Sequence, residues 1–288
     1  SLISSFYNVL YYNYIMNLKG KNVLVTGIAS NRSISFAIAK VLKENNANVV
    51  ISYQNDRLKE RVLKLADELN IDNSYQCDLS VDQDIATLRD NIKKDCGNLD
   101  GIVHSAAFAP KDHLSGKYLD NISRDGFALA HDVSSYSFTA LAKAFKDSLN
   151  EAASLVTLSY IGSNKVVQNY NVMGVAKASL ESSVLYLADS LGERRIRVNA
   201  VSAGPIKTLA AAGISGFSKI LDIYQEKSPI KANITTDDVA KAVYFLLSDY
   251  SSAITGQTIY VDNGFNIIGY WFKYSSLISI SKDSNFEI

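Results

Sequence analysis

The sequence predicts a single-domain α/β fold, in which a doubly wound parallel sheet of about seven strands carries helices on both faces. Three observations support this prediction. Between residues 17 and 269, short apolar runs of β-type alternate with segments of helical periodicity. Several runs are almost continuously apolar, which is typical of strands that helices cover on both sides. No repeat or low-complexity linker interrupts the alternation, and the chain contains only 3 prolines.

The predicted strands are 22–27, 47–54, 73–78, 99–106, 154–160, 196–203 and 257–262. The predicted helices lie between them, at 33–45, 56–69, 82–95, about 122–150, 169–191 and 236–248. We expect one domain over residues 17–269, with extraneous or disordered tails at 1–15 and 270–288. The first tail lacks the basic region and cleavage site of a signal peptide, and it is too short and polar to span a bilayer.

The composition argues against several classes of function. The 288 residues include 29 basic and 29 acidic side chains, so no long-range field attracts nucleic acid or an anionic membrane. Cys77 and Cys96 are too few for a disulfide framework, and we expect reduced thiols in a cytoplasmic protein. His104, His113 and His131 lack the spacing of metal ligands, so we expect no metal site.

The first predicted strand ends at Gly27, and a helix is predicted to begin near Ser33. A dinucleotide-binding fold needs a sharp turn here, because the pyrophosphate lies against the N-terminal amides of the helix. Gly27 can form that turn, while Ser33 can cap the helix and offer a hydroxyl to phosphate. The usual G-x-G-x-x-G pattern is absent. Taken by itself, Gly27 is therefore explained equally well by a purely structural turn and by a dinucleotide-binding turn.

The ends of the next strands support a dinucleotide site. Gln54 ends the second strand, where an acid would select NAD by binding the ribose 2′-hydroxyl. Glutamine favours NADH only weakly, and Arg57 and Lys59 could accept a 2′-phosphate, so NADPH stays open. Asp78 ends the third strand and could bind the adenine amino group. Ser105 ends the fourth strand, near the expected nicotinamide ribose.

Tyr170 and Lys177 are two helical turns apart, so we expect both side chains on one face of a helix. Lys177 could hold the nicotinamide ribose, and its charge would make the phenol more acidic. Tyr170 could donate a hydrogen bond to the oxygen that becomes negative when hydride arrives. Four other Tyr/Lys pairs have the same spacing, so context selects this one: it follows the fifth strand, ten residues after Tyr160. We also expect small residues to let a cofactor approach this helix: Gly174, Ala176, Ala178 and Ser179.

Eight motifs carry a family resemblance: TGIASNRSI (26–34), YQND (53–56), HSAAFAP (104–110), AHDVSSYSF (130–138), VTLSY (156–160), NYNVMGVAKASLE (169–181), RVNAVSAGPIKTLAA (197–211) and VDNGF (261–265). In these motifs and their order, the chain resembles the enoyl-(acyl-carrier-protein) reductase branch of the short-chain dehydrogenase/reductase superfamily over residues 17–269. The resemblance implies a Rossmann-like fold. It also implies that NADH reduces the 2,3-trans double bond of enoyl-(acyl-carrier-protein) thioesters in type II fatty acid biosynthesis.

The resemblance implies a role for individual residues. Tyr170 would be the catalytic donor, Lys177 the ribose holder, and Tyr160 a second active-site tyrosine near the thioester. The implied cofactor contacts are Gly27, Ser33, Ile34, Gln54, Asp78, Leu79, Ser105, Lys177, Ile206 and Thr208. The implied substrate contacts, which core packing explains equally well position by position, are Phe108, Ala109, Tyr160, Met173, Ala210, Ile214 and Phe217. Residues 208–220, with Gly213 and Gly216, would form a mobile lid over the substrate.

The resemblance also implies partners. The family is usually tetrameric, and helices 122–150 and 169–191 could supply the interfaces of a homotetramer. An acidic carrier protein needs a basic rim, for which Lys207 and Lys219 are candidates, although simple solvation also explains these lysines. Two positions depart from the family pattern. Ala107 replaces a common glycine beside the nicotinamide, and VDNG replaces VDGG in a turn.

Two alternatives remain open at this point. A ketoacyl or other short-chain carbonyl reductase pairs tyrosine and lysine four residues apart, but no lysine of this chain follows a tyrosine at that spacing. A dinucleotide-binding regulator without catalysis is the second alternative. The matching context of Tyr160, Tyr170 and Lys177 argues against it.

Overall fold

The computed structural model describes residues 18–208, 211 and 216–269, and the predicted tails at 1–15 and 270–288 lie outside these ranges. Within them, seven strands form one parallel sheet in the order β3-β2-β1-β4-β5-β6-β7. The strands are β1 (Asn22–Val25), β2 (Asn48–Tyr53), β3 (Asn73–Gln76), β4 (Leu99–His104), β5 (Leu149–Ser159), β6 (Arg197–Ala203) and β7 (Thr258–Val261). The structure therefore confirms the predicted doubly wound α/β fold.

Helices connect the strands and cover both faces of the sheet. They are α1 (Ile34–Glu44), α2 (Asp56–Glu68), α3 (Asp82–Asp95), α4 (Tyr118–Asn121), α5 (Arg124–His131), α6 (Ser137–Phe145), α7 (Val172–Leu191), α8 (Phe217–Lys227) and α9 (Thr236–Leu247). None of the helices in the described ranges is long and apolar enough to cross a membrane. The short helix α4 and the helix α8 were not predicted.

The prediction of one continuous helix over residues 122–150 is wrong. The segment forms α5, a π-helical turn at Asp132–Tyr136 and then α6, and β5 already begins at Leu149. Ala152 takes a left-handed φ of 60° inside β5, and the pairing of β5 with β4 shifts register there. This irregular start explains why the apolar pattern predicts the strand only from residue 154.

Alternation of side chains along the strands builds two cores, one on each face of the sheet. Val23 and Val25 of β1 pack on one face with Ile38 of α1 and Val243 of α9. Leu24 points to the other face, where the core contains residues of α3, α6 and α7: Ile85, Leu88, Phe138, Phe145, Leu180 and Val184.

The strand order reverses beside β1, whose neighbours are β2 and β4. In a doubly wound sheet this switch point opens a crevice at the carboxyl ends of the strands. Gly27 lies at that crevice with a φ of 77°, and a Cβ atom there would lie 1.9 Å from the carbonyl oxygen of Ser105. Glycine is therefore required, because only its bare backbone lets the turn after β1 approach the segment after β4 this closely.

We expect Gly27→Ala to lower the free energy of unfolding by about 3 kcal/mol, because left-handed strain and a backbone clash add together. Gly97 provides a matched control, since its φ is 82° but a Cβ atom there would meet nothing within 4 Å. Gly97→Ala should cost only about 1 kcal/mol. Urea denaturation followed by circular dichroism measures both values, and equal losses would contradict this explanation.

Candidate active site

A cavity of about 530 Å³ lies at the carboxyl ends of β1 to β5. Nine of the ten predicted cofactor residues line it: Gly27, Ser33, Ile34, Gln54, Asp78, Leu79, Ser105, Lys177 and Thr208. Ile206, the tenth, instead lines a neighbouring open cavity of about 390 Å³, together with Arg32 and Lys207. The convergence of parallel strands thus brings together residues that lie as far apart as positions 27 and 208.

The N-terminus of α1 differs in one detail from the expectation that Ser33 caps this helix. Ser33 occupies the N-cap position, but its side chain makes no capping hydrogen bond. The Ser33 hydroxyl instead donates to the carbonyl oxygen of Ser30 at 2.5 Å. The first turn of α1 is therefore without a side-chain cap where it meets the cavity.

One end of the cavity is organised around the carboxylate of Asp78. Its Oδ1 accepts hydrogen bonds from the backbone N–H and hydroxyl of Ser80, at 3.0 and 2.7 Å, and its Oδ2 accepts one from Gln54 Nε2 at 3.1 Å. Burial raises the pKa of Asp78, but these hydrogen bonds outweigh it and hold the pKa below its usual value. The carboxylate stays charged and fixes the Gln54 amide group. Arg57 and Lys59 are exposed and do not line the cavity.

The other end of the cavity contains Lys177, which extends from α7 and is only 5% exposed. Its ammonium donates a hydrogen bond to the carbonyl oxygen of Leu158 at 2.8 Å. Burial lowers the pKa of Lys177 to about 8, against the opposing effect of the Glu181 carboxylate one turn further along α7. Glu181 in turn accepts a 2.5 Å hydrogen bond from the hydroxyl of Ser159, another cavity residue.

Tyr170 and Lys177 do not share a helix face, and that expectation is wrong. Helix α7 begins only at Val172, after Asn171 with a φ of 40°, so Tyr170 lies in the preceding turn. Its ring is held by Gly162, where a Cβ atom would lie 2.4 Å from a ring carbon of Tyr170. A tight turn, rather than helical spacing, therefore positions the phenol.

Tyr170 packs edge-on against Tyr160, with ring centroids 4.8 Å apart and an interplanar angle of 65°. Burial raises the pKa of Tyr170, and the neighbouring Tyr160 and Glu181 raise it further. The expected acidification of Tyr170 by Lys177 is thus wrong, and this phenol is a neutral donor at physiological pH. Neither tyrosine lines the 530 Å³ cavity, but Ser159, directly before Tyr160, does.

The small residues of α7 pack against neighbouring parts of the protein and do not line the cavity. At Gly174 a Cβ atom would lie 2.6 Å from the carbonyl oxygen of Gly162, so the turn at Ile161–Ser163 presses against the helix. Ser179 forms a 2.8 Å hydrogen bond with Ser135 of the π-helical turn. Ala176 is buried and Ala178 is half-buried.

The predicted substrate residues other than Tyr160 lie in different surroundings. Phe108 is 50% exposed and lines the cavity. Ala109 and Met173 are buried in a small apolar cluster against which Tyr170 packs. Phe217 is half-buried at the start of α8, and Ala210, Gly213 and Ile214 lie outside the described residues. The part of the lid expected at 208–220 that can be described comprises residues 208, 211 and 216–220.

Sequence reasoning missed Tyr224, whose hydroxyl donates a 3.4 Å hydrogen bond to that of Tyr160. Its helix α8 carries apolar residues at helical spacing, Phe217, Ile220, Leu221 and Tyr224, and this signal could have revealed it. His104 was also unassigned. It is fully buried between Thr157 and Ser137, with 2.8 Å hydrogen bonds to both, and burial lowers its pKa to about 3.

A family model described as Enoyl-(Acyl carrier protein) reductase matches residues 27–266, which is most of the chain. The chain belongs to this reductase family. The matched region contains every feature of the cavity described above, together with Tyr160, Tyr170 and Tyr224.

Individual members of the reductase family agree with this assignment. The enoyl-(acyl-carrier-protein) reductase (NADH) FabI of Buchnera aphidicola subsp. Baizongia pistaciae is 52% identical over 251 residues, covering 87% of this chain and 96% of the relative. FabI of Escherichia coli K12 is 47% identical over 250 residues, covering 87% and 95%. The crystal structure of the Anaplasma phagocytophilum reductase in complex with NAD superposes with a TM-score of 0.85 at 40% identity, covering 89% and 97%.

Proposed function

We propose that this chain reduces the 2,3-trans double bond of enoyl thioesters carried by an acyl carrier protein, using NADH, in type II fatty acid biosynthesis. Membership of the reductase family and the NADH named for the curated relatives support the activity and the cofactor. The observation that carries the proposal is the arrangement at the end of β5. There Leu158 holds the Lys177 ammonium, and Tyr160, two residues on, packs against Tyr170.

The donor and acceptor groups of the cavity fit a nicotinamide dinucleotide. Asp78 and Gln54 would hold the adenosine, because both present acceptor oxygens at one end of the cavity. The uncapped first turn of α1, beginning at Ile34, would hold the pyrophosphate with its N–H groups. Lys177 would hold the nicotinamide ribose with the donors that Leu158 leaves free. Bound NADH supplies the hydride.

Tyr170 is the proposed catalytic donor. Reduction of a conjugated double bond places negative charge on the thioester oxygen, and a neutral phenol can stabilise that charge by donating a hydrogen bond. The raised pKa of Tyr170 keeps its proton in place throughout the physiological range. Tyr160, in edge contact with it, is the proposed second donor, and Phe108, Ala109, Met173 and Phe217 form the proposed acyl side of the pocket.

The remaining proposals concern the surroundings of the site. Exposed Lys207 and Lys219 would attract an acidic carrier protein, since opposite charges steer such encounters. We also propose a homotetramer, because exposed apolar side chains on α5 and α7, such as Phe127, Leu185 and Tyr186, suit helix interfaces. Light scattering measures this state. A cytoplasmic location is consistent with thiols that are both free.

The decisive experiment follows NADH oxidation with crotonyl and acetoacetyl thioesters. We expect the wild type to turn over the crotonyl thioester. Tyr170→Phe should lower kcat roughly 10²-fold with little change in NADH affinity. Lys177→Ala should weaken NADH binding about tenfold. Turnover of the acetoacetyl thioester alone would favour a ketoreductase, and turnover of neither would favour a regulator. Wild-type activity in both variants would refute the proposed site.

Cofactor selectivity tests the role of Asp78. A fixed negative charge beside Gln54 disfavours the 2′-phosphate of NADPH, so Asp78→Asn should raise the NADPH-to-NADH ratio of kcat/KM about fivefold. Exposed Asp72, which precedes β3 and so lies at the opposite edge of the sheet, gives the control Asp72→Asn, with no expected change. An unchanged ratio in Asp78→Asn would show that this carboxylate does not select the cofactor.

A further inference from the structure

Tyr224 anchors helix α8 to the body of the protein. Among the eleven residues of α8, all of which the structure describes, Tyr224 alone is buried, with 5% exposure. Its ring stacks on Phe265, with centroids 3.7 Å apart and planes 15° apart. Helix α8, which overlaps the end of the expected lid, thus has a single buried side chain, and that side chain is aromatic.

The stacking partner of Tyr224 lies on a firmly held turn. In the VDNGF motif, buried Asp262 accepts hydrogen bonds from the backbone N–H groups of Gly264 and Asn266, at 3.0 and 2.8 Å. Asn263 takes a φ of 55° and donates from Nδ2 to the carbonyl oxygen of Ala232 at 2.8 Å. The asparagine that departs from the family pattern therefore ties this turn to the segment after α8.

The Tyr224 hydroxyl reaches the pair of active-site tyrosines. It donates to the hydroxyl of Tyr160 at 3.4 Å, and Tyr160 in turn packs against Tyr170. Burial raises the pKa of Tyr224, so this phenol keeps the proton that it donates. The contact is longer than a typical O–H···O hydrogen bond, so we expect a moderate effect on catalysis.

The direction of this hydrogen bond has a chemical consequence. A phenol can accept one hydrogen bond and still donate its own proton. Because the Tyr160 oxygen accepts from Tyr224, the hydrogen of Tyr160 is left for another acceptor. Accepting a hydrogen bond also polarises the O–H group, which strengthens it as a donor.

We propose that Tyr224 is a positioning residue that orients the Tyr160 hydroxyl toward the thioester oxygen and couples α8 to the active site. The inference rests on the proposed function, because it assigns Tyr160 a part in enoyl reduction. According to this inference, the position of α8 affects turnover because Tyr224 on that helix orients the hydroxyl of Tyr160.

A double-mutant cycle tests this proposal with NADH and crotonyl thioester. Tyr224→Phe keeps the ring on Phe265 and removes only the hydroxyl, so kcat should fall about three- to tenfold, with both KM values nearly unchanged. In a Tyr160→Phe background, the same substitution should have no further effect. If a thermal melt shows that the Phe variant folds poorly, Tyr224→Met provides a second test. Methionine fills similar space without a hydrogen-bond donor, so this variant should show the same loss of kcat.

Tyr244→Phe is the matched control. Tyr244 is a buried tyrosine of α9 whose hydroxyl has no hydrogen-bond partner among the described residues, so its removal should leave kcat unchanged. If the wild type reduces crotonyl thioester and Tyr224→Phe has the same kcat, the inference is wrong while the proposed function stands. An equal loss in both Tyr160 backgrounds would overturn it as well, since Tyr224 would then act independently of Tyr160. A wild type inert toward crotonyl thioester would instead overturn the proposed function, and the inference with it.

Discussion

The proposed active site depends on one hydrogen bond, from the buried Lys177 ammonium to the carbonyl oxygen of Leu158. Removing an ammonium from water is costly, and this cost lowers its pKa to about 8. Glu181 opposes the loss of charge, while His104, the other titratable group coupled to Lys177, is uncharged because burial lowers its own pKa to about 3. The cation therefore persists near neutral pH at the place where a cofactor ribose would lie.

Three consecutive residues at the end of β5 hold three different parts of this site. The Leu158 carbonyl binds Lys177, the Ser159 hydroxyl binds Glu181, and the Tyr160 ring packs against Tyr170. Because β5 is an inner strand of the sheet, flanked by β4 and β6, its end has little freedom to move. A parallel strand paired on both sides thus fixes a cation, an anion and a phenol relative to one another, which is the preorganisation that charge stabilisation requires.

The sequence predicted the general architecture and most of the cavity because strand ends in a parallel sheet converge on one edge. It could not predict the route of the chain between the strands. Tyr170 misses the helix because Asn169 and Asn171 adopt φ values of 64° and 40°, conformations that side-chain periodicity does not reveal. Ile206 lies three residues beyond β6, where the chain has turned toward a second cavity. Helix α8 carries an apolar stripe at helical spacing and could have been predicted, but the burial of Tyr224 alone among its residues depends on the tertiary fold.

The most direct test measures the dissociation constant of NADH by fluorescence titration from about pH 6.5 to about pH 9.5. If the charged Lys177 ammonium holds the cofactor, affinity is full below about pH 8 and weakens as the pH rises through that value, where the free enzyme loses the proton. In Lys177→Ala the binding should be weak, with this step absent. An NADH affinity that stays constant across the range in the wild type would contradict the central role of this buried cation.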